Sequence, residues 1–506
     1  MIKGVNKRPD NVCSQYNLEL IIMAPPKGIK QVSDVVWEIP PSYKKGMNVS
    51  ARIYATKKLL DAMDQGVFEQ VTNVACLPGI QKHAFCMPDG HWGYGFPIGG
   101  VAAFDVDEGI ISPGGIGFDI NCGMRLITTN LTIKDVKPKL RELVDTFFRT
   151  VPAGVGVKGF VKANKSQFND VMTTGVKWCV ENGYGWEEDL ERVEEHGVIK
   201  GADPSKVSSK AVSRGINQMG TLGSGNHYLE VQVVEEDRIF DKELAKRFGI
   251  FPGQIVVMVH CGSRGFGHQI GTDYLRIFDD AMKKYNITVN DRELSCAPFS
   301  SKEGQDYYKA MACAANMAFV NRQVIVHRIR EGFQKVFKQT PENLEMHIVY
   351  DVAHNIAKVE EHKIDGKKKK VLVHRKGSTR SFGAGHEELA DIFRDVGQPV
   401  IIGGSMETGS FLLLGTNKSM DETFGSTAHG SGRTMSRTAA KQQIRGDALQ
   451  KDMERRGIYV KSTSMSGLAE EAGVAYKDIN EVVDCVNKAG ISSPIVGLRP
   501  IGNVKG

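Results

Sequence analysis

The chain has 506 residues, 41% hydrophobic and 25% charged, with a formal net charge of +6. That is the profile of a soluble globular protein with ample core; it excludes a disordered polyelectrolyte, and no apolar run approaches the ~20 residues of a membrane span. The small positive excess permits a polyanionic partner without requiring one, and nine cysteines with no CxxC pair read as reduced thiols of a cytoplasmic protein.

In chain order, residues 1–22 read as a disordered extension, with Met23 as an alternative start, and residues 1–28 lack the layout of a signal peptide. Periodicity predicts helices over 55–65 and 136–150, and a polar stretch over 160–215 reads as helices joined by loops. A β-branched run at 254–260 predicts a buried strand, and 306–337 one long helix with Ala, Met, Val and Ile on its apolar face. Strands are expected at 345–352, 370–375, 398–402 and 410–415, with Asp365-Gly366 turning a hairpin. Residues 433–457 read as one basic helix, and 476–506 as a last helix followed by a short extended end. No repeat and no Pro/Ser-rich linker divides the chain. One α+β catalytic domain over 23–506 is therefore expected.

The chemically capable residues fall in glycine loops beside these elements. Asp119-Ile-Asn-Cys122-Gly follows Ser112-Pro-Gly-Gly-Ile-Gly-Phe. Asn226-His227 ends a Gly-Ser-Gly loop, His260-Cys-Gly-Ser-Arg264 follows the 254–259 run, and Asp351-Val-Ala-His354-Asn355 follows 345–350. Taken singly, each has a structural explanation: a hydrogen-bonded core histidine, a small buried cysteine, an aspartate capping a turn. Jointly, a carboxylate, a thiolate and three imidazoles form a mixed-hardness donor set suited to Mn, Zn or Fe, and a thiolate can bridge two ions. His429-Gly-Ser-Gly-Arg433 would place an imidazole at a helix N-terminus, as a nucleophile towards phosphorus or as a neighbour of the N-cap. Lys367 to Lys370 read as a solvated hairpin tip. Gly99-Gly100 and Gly114-Gly115 lack the strand and helix of a dinucleotide fingerprint.

From about Asn48 to Gly506 these motifs resemble the RtcB family of RNA-splicing ligases in its archaeal and eukaryotic form. The resemblance is carried by Met87-Pro-Asp89-Gly-His-Trp-Gly-Tyr-Gly-Phe, the Asp119–Cys122 motif, Gly220-Thr-Leu-Gly-Ser-Gly-Asn226-His227 and His260-Cys-Gly-Ser-Arg264-Gly. It continues through Tyr350-Asp-Val-Ala-His354-Asn355, His374-Arg-Lys376-Gly-Ser-Thr-Arg380, Gly425-Ser-Thr-Ala-His429-Gly-Ser-Gly-Arg433 and Leu498-Arg-Pro-Ile. Cys261, where the family often has Ser or Thr, and Ser431, where Ala is common, depart from the pattern.

The resemblance implies mixed β-sheets flanked by helices around a deep metal-containing cleft. It implies one Mn²⁺ on Asp119, Cys122 and His227, and a second on Cys122, His260 and His354. His429 would take GMP from GTP. A guanylate site would comprise Asn226, His227, Glu230, His354, Asn355, Gly403, Gly404, Ser405, Met406, Ser410, Gly430, Ser431, Gly432, Tyr476 and Lys505 around His429. Arg214, Arg264, Lys376 and Arg433 match candidates for meeting RNA phosphates, and Asp89 a further active-site position. The implied reaction opens a 2′,3′-cyclic phosphate end to a 3′-phosphate, caps it with GMP from the histidine and lets a 5′-hydroxyl end expel GMP. Split tRNA halves are the expected RNAs, and archease a possible activator. The rival reading is a binuclear metal-dependent phosphodiesterase or amidohydrolase, which needs neither a nucleophilic His429 nor a guanine site. A non-catalytic RNA-binding protein is disfavoured by the modest charge and the lack of an aromatic-basic RNA module.

Overall fold

The computed structural model describes residues 25–506, so the expected extension over 1–22 and the alternative start at Met23 lie outside the described residues. Two mixed sheets carry the architecture, an α+β arrangement. The first has seven strands in the order Lys30–Ser33, Val36–Ile39, Ser50–Tyr54, His83–His91, Ile98–Asp105, Lys367–Lys376, Asn355–Ile364. The second runs Ile348–Ala353, Gly123–Ile127, Ile255–Cys261, Tyr228–Ile239, Ser492–Lys505, Ser410–Gly415, Pro399–Gly403, with Tyr459–Ser462 added in parallel to Ser492–Lys505. The chain crosses between the sheets after Ile98–Asp105, through the glycine-rich loop that ends at Cys122. It crosses back at His354, the single residue between Ile348–Ala353 and Asn355–Ile364. The candidate metal ligands therefore lie at the seam of the two sheets.

The helix Lys302–Phe337 braces the second sheet from behind. Its 36 residues span about 54 Å, Ser301 caps its start by accepting from the Gly304 N–H, and Lys338 ends it in the left-handed region. From Ala310 to Val326 every side chain is buried, including Asn316, Asn321, Arg322 and Gln323. Those polar groups are tolerated because each is hydrogen-bonded: Asn321 Nδ2 donates to Gly262 O at 3.0 Å, and Arg322 Nη1 to Asn121 O at 2.7 Å and Cys261 O at 2.9 Å.

Several expectations hold closely. The 254–260 run is the strand Ile255–Cys261, the long helix starts four residues early, and Asp365 and Gly366, both at positive φ, turn the hairpin whose lysine tip is solvated. The 160–215 stretch is three short helices linked by loops and 3₁₀ turns. Others need correction. The 55–65 helix is two, Lys57–Asp61 and Gln65–Val74, because Thr56 and Asp64 each cap a new start. The 433–457 helix is also two, Arg437–Gln443 and Gly446–Arg455: Ser436 caps the first, and Ile444 and Arg445 are extended. The end of the chain is not short. Ser492–Lys505 is a fourteen-residue strand in the interior of the second sheet. Among the described residues, no helix is long and apolar enough to cross a membrane.

Candidate active site

Four neighbouring strands of the second sheet end at one place. Cys122 precedes Gly123–Ile127, His227 precedes Tyr228–Ile239, His260 is the penultimate residue of Ile255–Cys261, and His354 follows Ile348–Ala353. Strand register puts Tyr228 and Met124 opposite His260. Asn121 turns the chain into Cys122 with a φ of 54°, its side chain donating to Ala315 O at 2.7 Å. Gly123 is required by packing, since a Cβ there would stand 2.2 Å from Val352 O. The His354 N–H donates to Cys122 O at 2.9 Å, tying the two crossings together.

Two overlapping donor groups result, Asp119/Cys122/His227 and Cys122/His260/His354, with the donor atoms of each within 4.8 Å of one another. Cys122 Sγ is 3.4 Å from His227 Nε2 and 3.3 Å from His260 Nε2; His260 Nε2 is 3.1 Å from His354 Nε2, and His227 Nε2 is 2.8 Å from Asp119 Oδ2. On the far side of the rings, His260 Nδ1 lies 3.1 Å from Asn226 O and His227 Nδ1 3.0 Å from Leu222 O. The His260 ring, its Nδ1–H donating to the Asn226 carbonyl, presents its Nε2 lone pair to the cluster, the usual support of a metal-bound histidine. Arg264 Nη1 also stands 2.9 Å from His227 Nδ1, and one nitrogen cannot donate to Leu222 and accept from Arg264 at once. Burial pushes the Cys122 thiol well above its ordinary value, with Asp119 adding to the rise, and holds His260 and His354 well below theirs. Burial would also raise Asp119, but the hydrogen bond from His227 keeps its carboxyl low. Neutral imidazoles, a carboxylate and a buried sulfur facing one another suit divalent cations.

Beside this cluster sits His429, its ring centroid 4.9 Å from that of His354. It follows the short strand Ser426–Ala428 and lies eight residues before Arg437–Gln443, so it does not open a helix, and the anion site expected there from a helix terminus is absent. The loop that follows it, 430–432, is buried. Gly432, at φ 72°, packs so closely that a Cβ would meet Asp89 O at 2.0 Å. What holds His429 is Asp89. The fully buried Oδ2 of Asp89 lies 2.6 Å from His429 Nδ1 and accepts the backbone N–H groups of His429 and Gly430 at 3.0 and 3.2 Å. With Nδ1 bound to the carboxylate, Nε2 is the free nitrogen.

A family model described as "tRNA-splicing ligase RtcB" matches residues 70–506, which include all of these side chains. The chain belongs to the RtcB family. Relatives called tRNA-splicing ligase RtcB from Archaeoglobus fulgidus and Thermococcus kodakarensis are 55% and 56% identical to it over 478 and 479 residues, 94% of this chain and 99% of each relative. One from Pyrobaculum aerophilum is 53% identical over 482 residues.

The RtcB motifs surround a cleft of about 800 Å³ lined by Asp119, Cys122, His260, His354 and His429, with His227 behind its wall. Of the guanylate candidates, Asn226, His354, Asn355, Tyr476 and Lys505 line it, together with the loops at 403–406 and 430–432, whereas His227 does not. Asn355 donates to Asp119 O at 3.1 Å and accepts from the Gly377 N–H at 2.9 Å. Lys505 is no mobile end: it is buried in the sheet and donates to Gly225 O at 3.0 Å. Glu230 and Ser410 are buried and do not line the cleft. Glu230 accepts from Asn503 and Gln232, both at 2.7 Å, Gln232 also reaches Ser410 at 3.2 Å, and burial raises the Glu230 carboxyl to about 7. Among the cations, Arg433 and Lys376 line the cleft. Lys376 donates to the carbonyls of Tyr94 and Phe96, and burial lowers it to about 7. Arg264 does not line it, and its guanidinium occupies the space a Cβ of Gly223 would need. Arg214 is exposed on Ser209–Gly215 and donates to Gln269 Oε1 at 2.9 Å.

Sequence reasoning missed Glu471, Arg437 and Lys477. Glu471 accepts from Tyr476 OH, from Arg433 at 3.3 Å and from Arg437 at 3.2 Å, with Lys505 4.0 Å away. Lys477 donates to the carbonyls of Pro88 and Gly90 on either side of Asp89. The only sequence signal was a cationic pair at Arg433 and Arg437 without a local acid; its partner lies more than thirty residues on.

Proposed function

We propose that this chain is an RNA ligase of tRNA splicing. It joins 2′,3′-cyclic phosphate or 3′-phosphate RNA ends to 5′-hydroxyl ends through a GMP-bearing His429. The observation that carries the reading is the contact between Asp89 and His429 Nδ1, which leaves Nε2 of a partly buried imidazole free in the cleft beside the donor residues. A binuclear metal-dependent phosphodiesterase, whose nucleophile is a metal-activated water, needs no such histidine.

In the first step His429 Nε2 attacks the α-phosphorus of GTP, a P–N bond forms and pyrophosphate leaves. Asp89 holds the ring and balances the positive charge that grows on it, as the orienting acid of a catalytic triad does. The RNA 3′-phosphate then attacks the same phosphorus, the P–N bond breaks, and the RNA end carries a guanylylated diphosphate. The 5′-hydroxyl of the second strand attacks the RNA phosphorus and expels GMP. Two Mn²⁺ ions, held by Asp119, Cys122 and His227 and by Cys122, His260 and His354, would supply charge neutralisation for these phosphates. Arg433, Arg437 and Lys505 add fixed positive charge on the side of the cleft that carries Glu471. Glu230 and Ser410, linked to one another through Gln232, remain proposed guanylate positions.

The test is incubation with GTP radiolabelled at the α-phosphate. An acid-labile, base-stable label that appears with Mn²⁺ and is absent from His429→Ala supports the reading. Hydrolysis of phosphodiesters with no labelled protein would favour the metallohydrolase.

A further inference from the structure

Three aromatic side chains line the cleft on its His91–Asp119 side: Trp92, Tyr94 and Phe118. Trp92 is 60% exposed, whereas Trp37 and Trp178 are buried and Trp186 half-buried. Its indole is nevertheless seated on backbone. It rests on Gly66 in the first turn of Gln65–Val74, where a Cβ would stand 1.9 Å from the ring, so only glycine admits it. The following residue is clamped by buried Gln70, which donates to Gly93 O at 2.6 Å and accepts from the Gly93 N–H at 3.1 Å. Beyond Tyr94, the Gly95 N–H donates to Glu293 at 2.8 Å and Lys376 donates to the Tyr94 carbonyl. Phe118, adjacent to the donor residue Asp119, stacks on His268 at 5.0 Å and 26° and meets the edge of Tyr94 at 5.2 Å.

An indole left 60% exposed, as that of Trp92 is, costs hydration and gains nothing in the free protein, and the half-buried rings of Tyr94 and Phe118 extend its surface along the cleft. Flat rings in a polar, cation-lined cleft suit the faces of nucleobases, which stack on aromatics with little regard to sequence. The charge layout agrees. Lys376 and Lys477 on this side are spent on backbone carbonyls, while Arg433, Arg437 and Lys505 gather around Glu471. We propose that Trp92, with Tyr94 and Phe118, forms a shelf on which the nucleobases next to the RNA ends stack. The shelf would set the path of the strand towards His429 and the metal donors. This rests on the RNA-joining reading.

Because Trp92 is the one well-exposed tryptophan among the described residues, its fluorescence reports the shelf. The full chain is titrated with single strands of about ten nucleotides: one with a 5′-hydroxyl end and one with a 3′-phosphate end, each intact and with its terminal nucleotide abasic. Expected are quenching by at least one intact strand, absent in Trp92→Phe, and binding of that strand weakened about tenfold in Trp92→Ala but no more than about threefold in Trp92→Phe. The abasic form of that strand should bind the wild type weakly and be indifferent to Trp92→Ala. The strand that shows the effect identifies the end on the shelf. Unchanged binding of both intact strands to Trp92→Ala, or an equal loss for intact and abasic strands, overturns the shelf. Failure of GTP labelling in the wild type would instead overturn the histidine–GMP reading, because that reaction uses no RNA.

Discussion

The floor of the cleft and its Glu471 side are built differently. On the floor, the candidate metal donors sit at or beside the ends of adjacent strands, and their backbone is braced from behind by buried charge. Arg322 donates to the carbonyls of Asn121 and Cys261, neighbours of Cys122 and His260, and to both oxygens of Asp351, which also receives Arg125 at 2.7 Å. None of Arg125, Arg322 and Asp351 is exposed. The Glu471 side is assembled from loops at 403–410, 429–436 and 471–476. Its cohesion comes from ionic contacts between side chains that line the cleft. A floor held by strands and a buried network fixes the backbone of its candidate donors, as preorganised sites require. A side held by Arg433, Arg437 and Tyr476 around one carboxylate can exchange that carboxylate for an incoming phosphate.

This contrast can be broken in three places. The largest effect is expected at the shared donor. Cys122→Ser should lower GMP transfer on the order of a thousandfold or more, because a hydroxyl remains protonated at neutral pH and cannot bridge two cations. Bound Mn²⁺, measured by elemental analysis, should fall with it, and near-normal metal and transfer would remove the bridging role. Next comes the brace. Arg322→Met leaves the Asp351 charge and two carbonyls under-satisfied in the core, at a cost of about 3–5 kcal/mol in denaturant unfolding. Metal content should fall in the variant that still folds, and Arg322→Lys should recover part of both. Stability equal to wild type would show that the floor does not depend on this network.

The smallest effect concerns Glu471. Burial would raise its carboxyl, but Lys505, Arg437 and Arg433 outweigh this and hold it below its ordinary value of 4.5. A group depressed on folding stabilises the fold above its unfolded pKa, and that contribution disappears as pH falls through the lower folded value. Glu471→Gln should therefore be less stable than wild type by about 2 kcal/mol at pH 7. The difference should shrink from about pH 4.5 downward. A difference that stays constant down through that range would mean that the ionic contacts do not hold this side of the cleft together.

The same contrast explains what could be read from the sequence. The floor was legible because each donor sits in a short motif beside a β-branched run or a glycine turn, and its partners are fixed by strand pairing. The long helix was legible from its unbroken Ala and Met pattern. The 429–476 region was not. Its Arg, Lys, Gln and Ala content favours helix, yet Ser436 and the extended Ile444 and Arg445 interrupt it, and the pairing of Arg433 with Glu471 spans 38 residues. Asp89 was visible only through the family motif, since its contact with His429 spans 340 residues. Ser492–Lys505 looked like a tail because a strand interrupted by prolines and glycines carries little periodic signal; its partners, not its own pattern, make it interior.

The central claim is that the metal floor and the nucleophile are separable, and His429→Ala tests it most directly. The five donors do not include His429, so the variant should retain its Mn²⁺. The measurement compares sealing of two substrates by this variant: ordinary 3′-phosphate RNA with GTP, and RNA already carrying a guanylylated 3′-diphosphate, each with a 5′-hydroxyl strand. The account predicts no product from the first and at least partial sealing of the second, since the preactivated end bypasses the covalent step. Sealing of ordinary ends from GTP by the variant would contradict the covalent histidine. Failure on both substrates with loss of Mn²⁺ would make His429 a ligand of the floor rather than a nucleophile beside it.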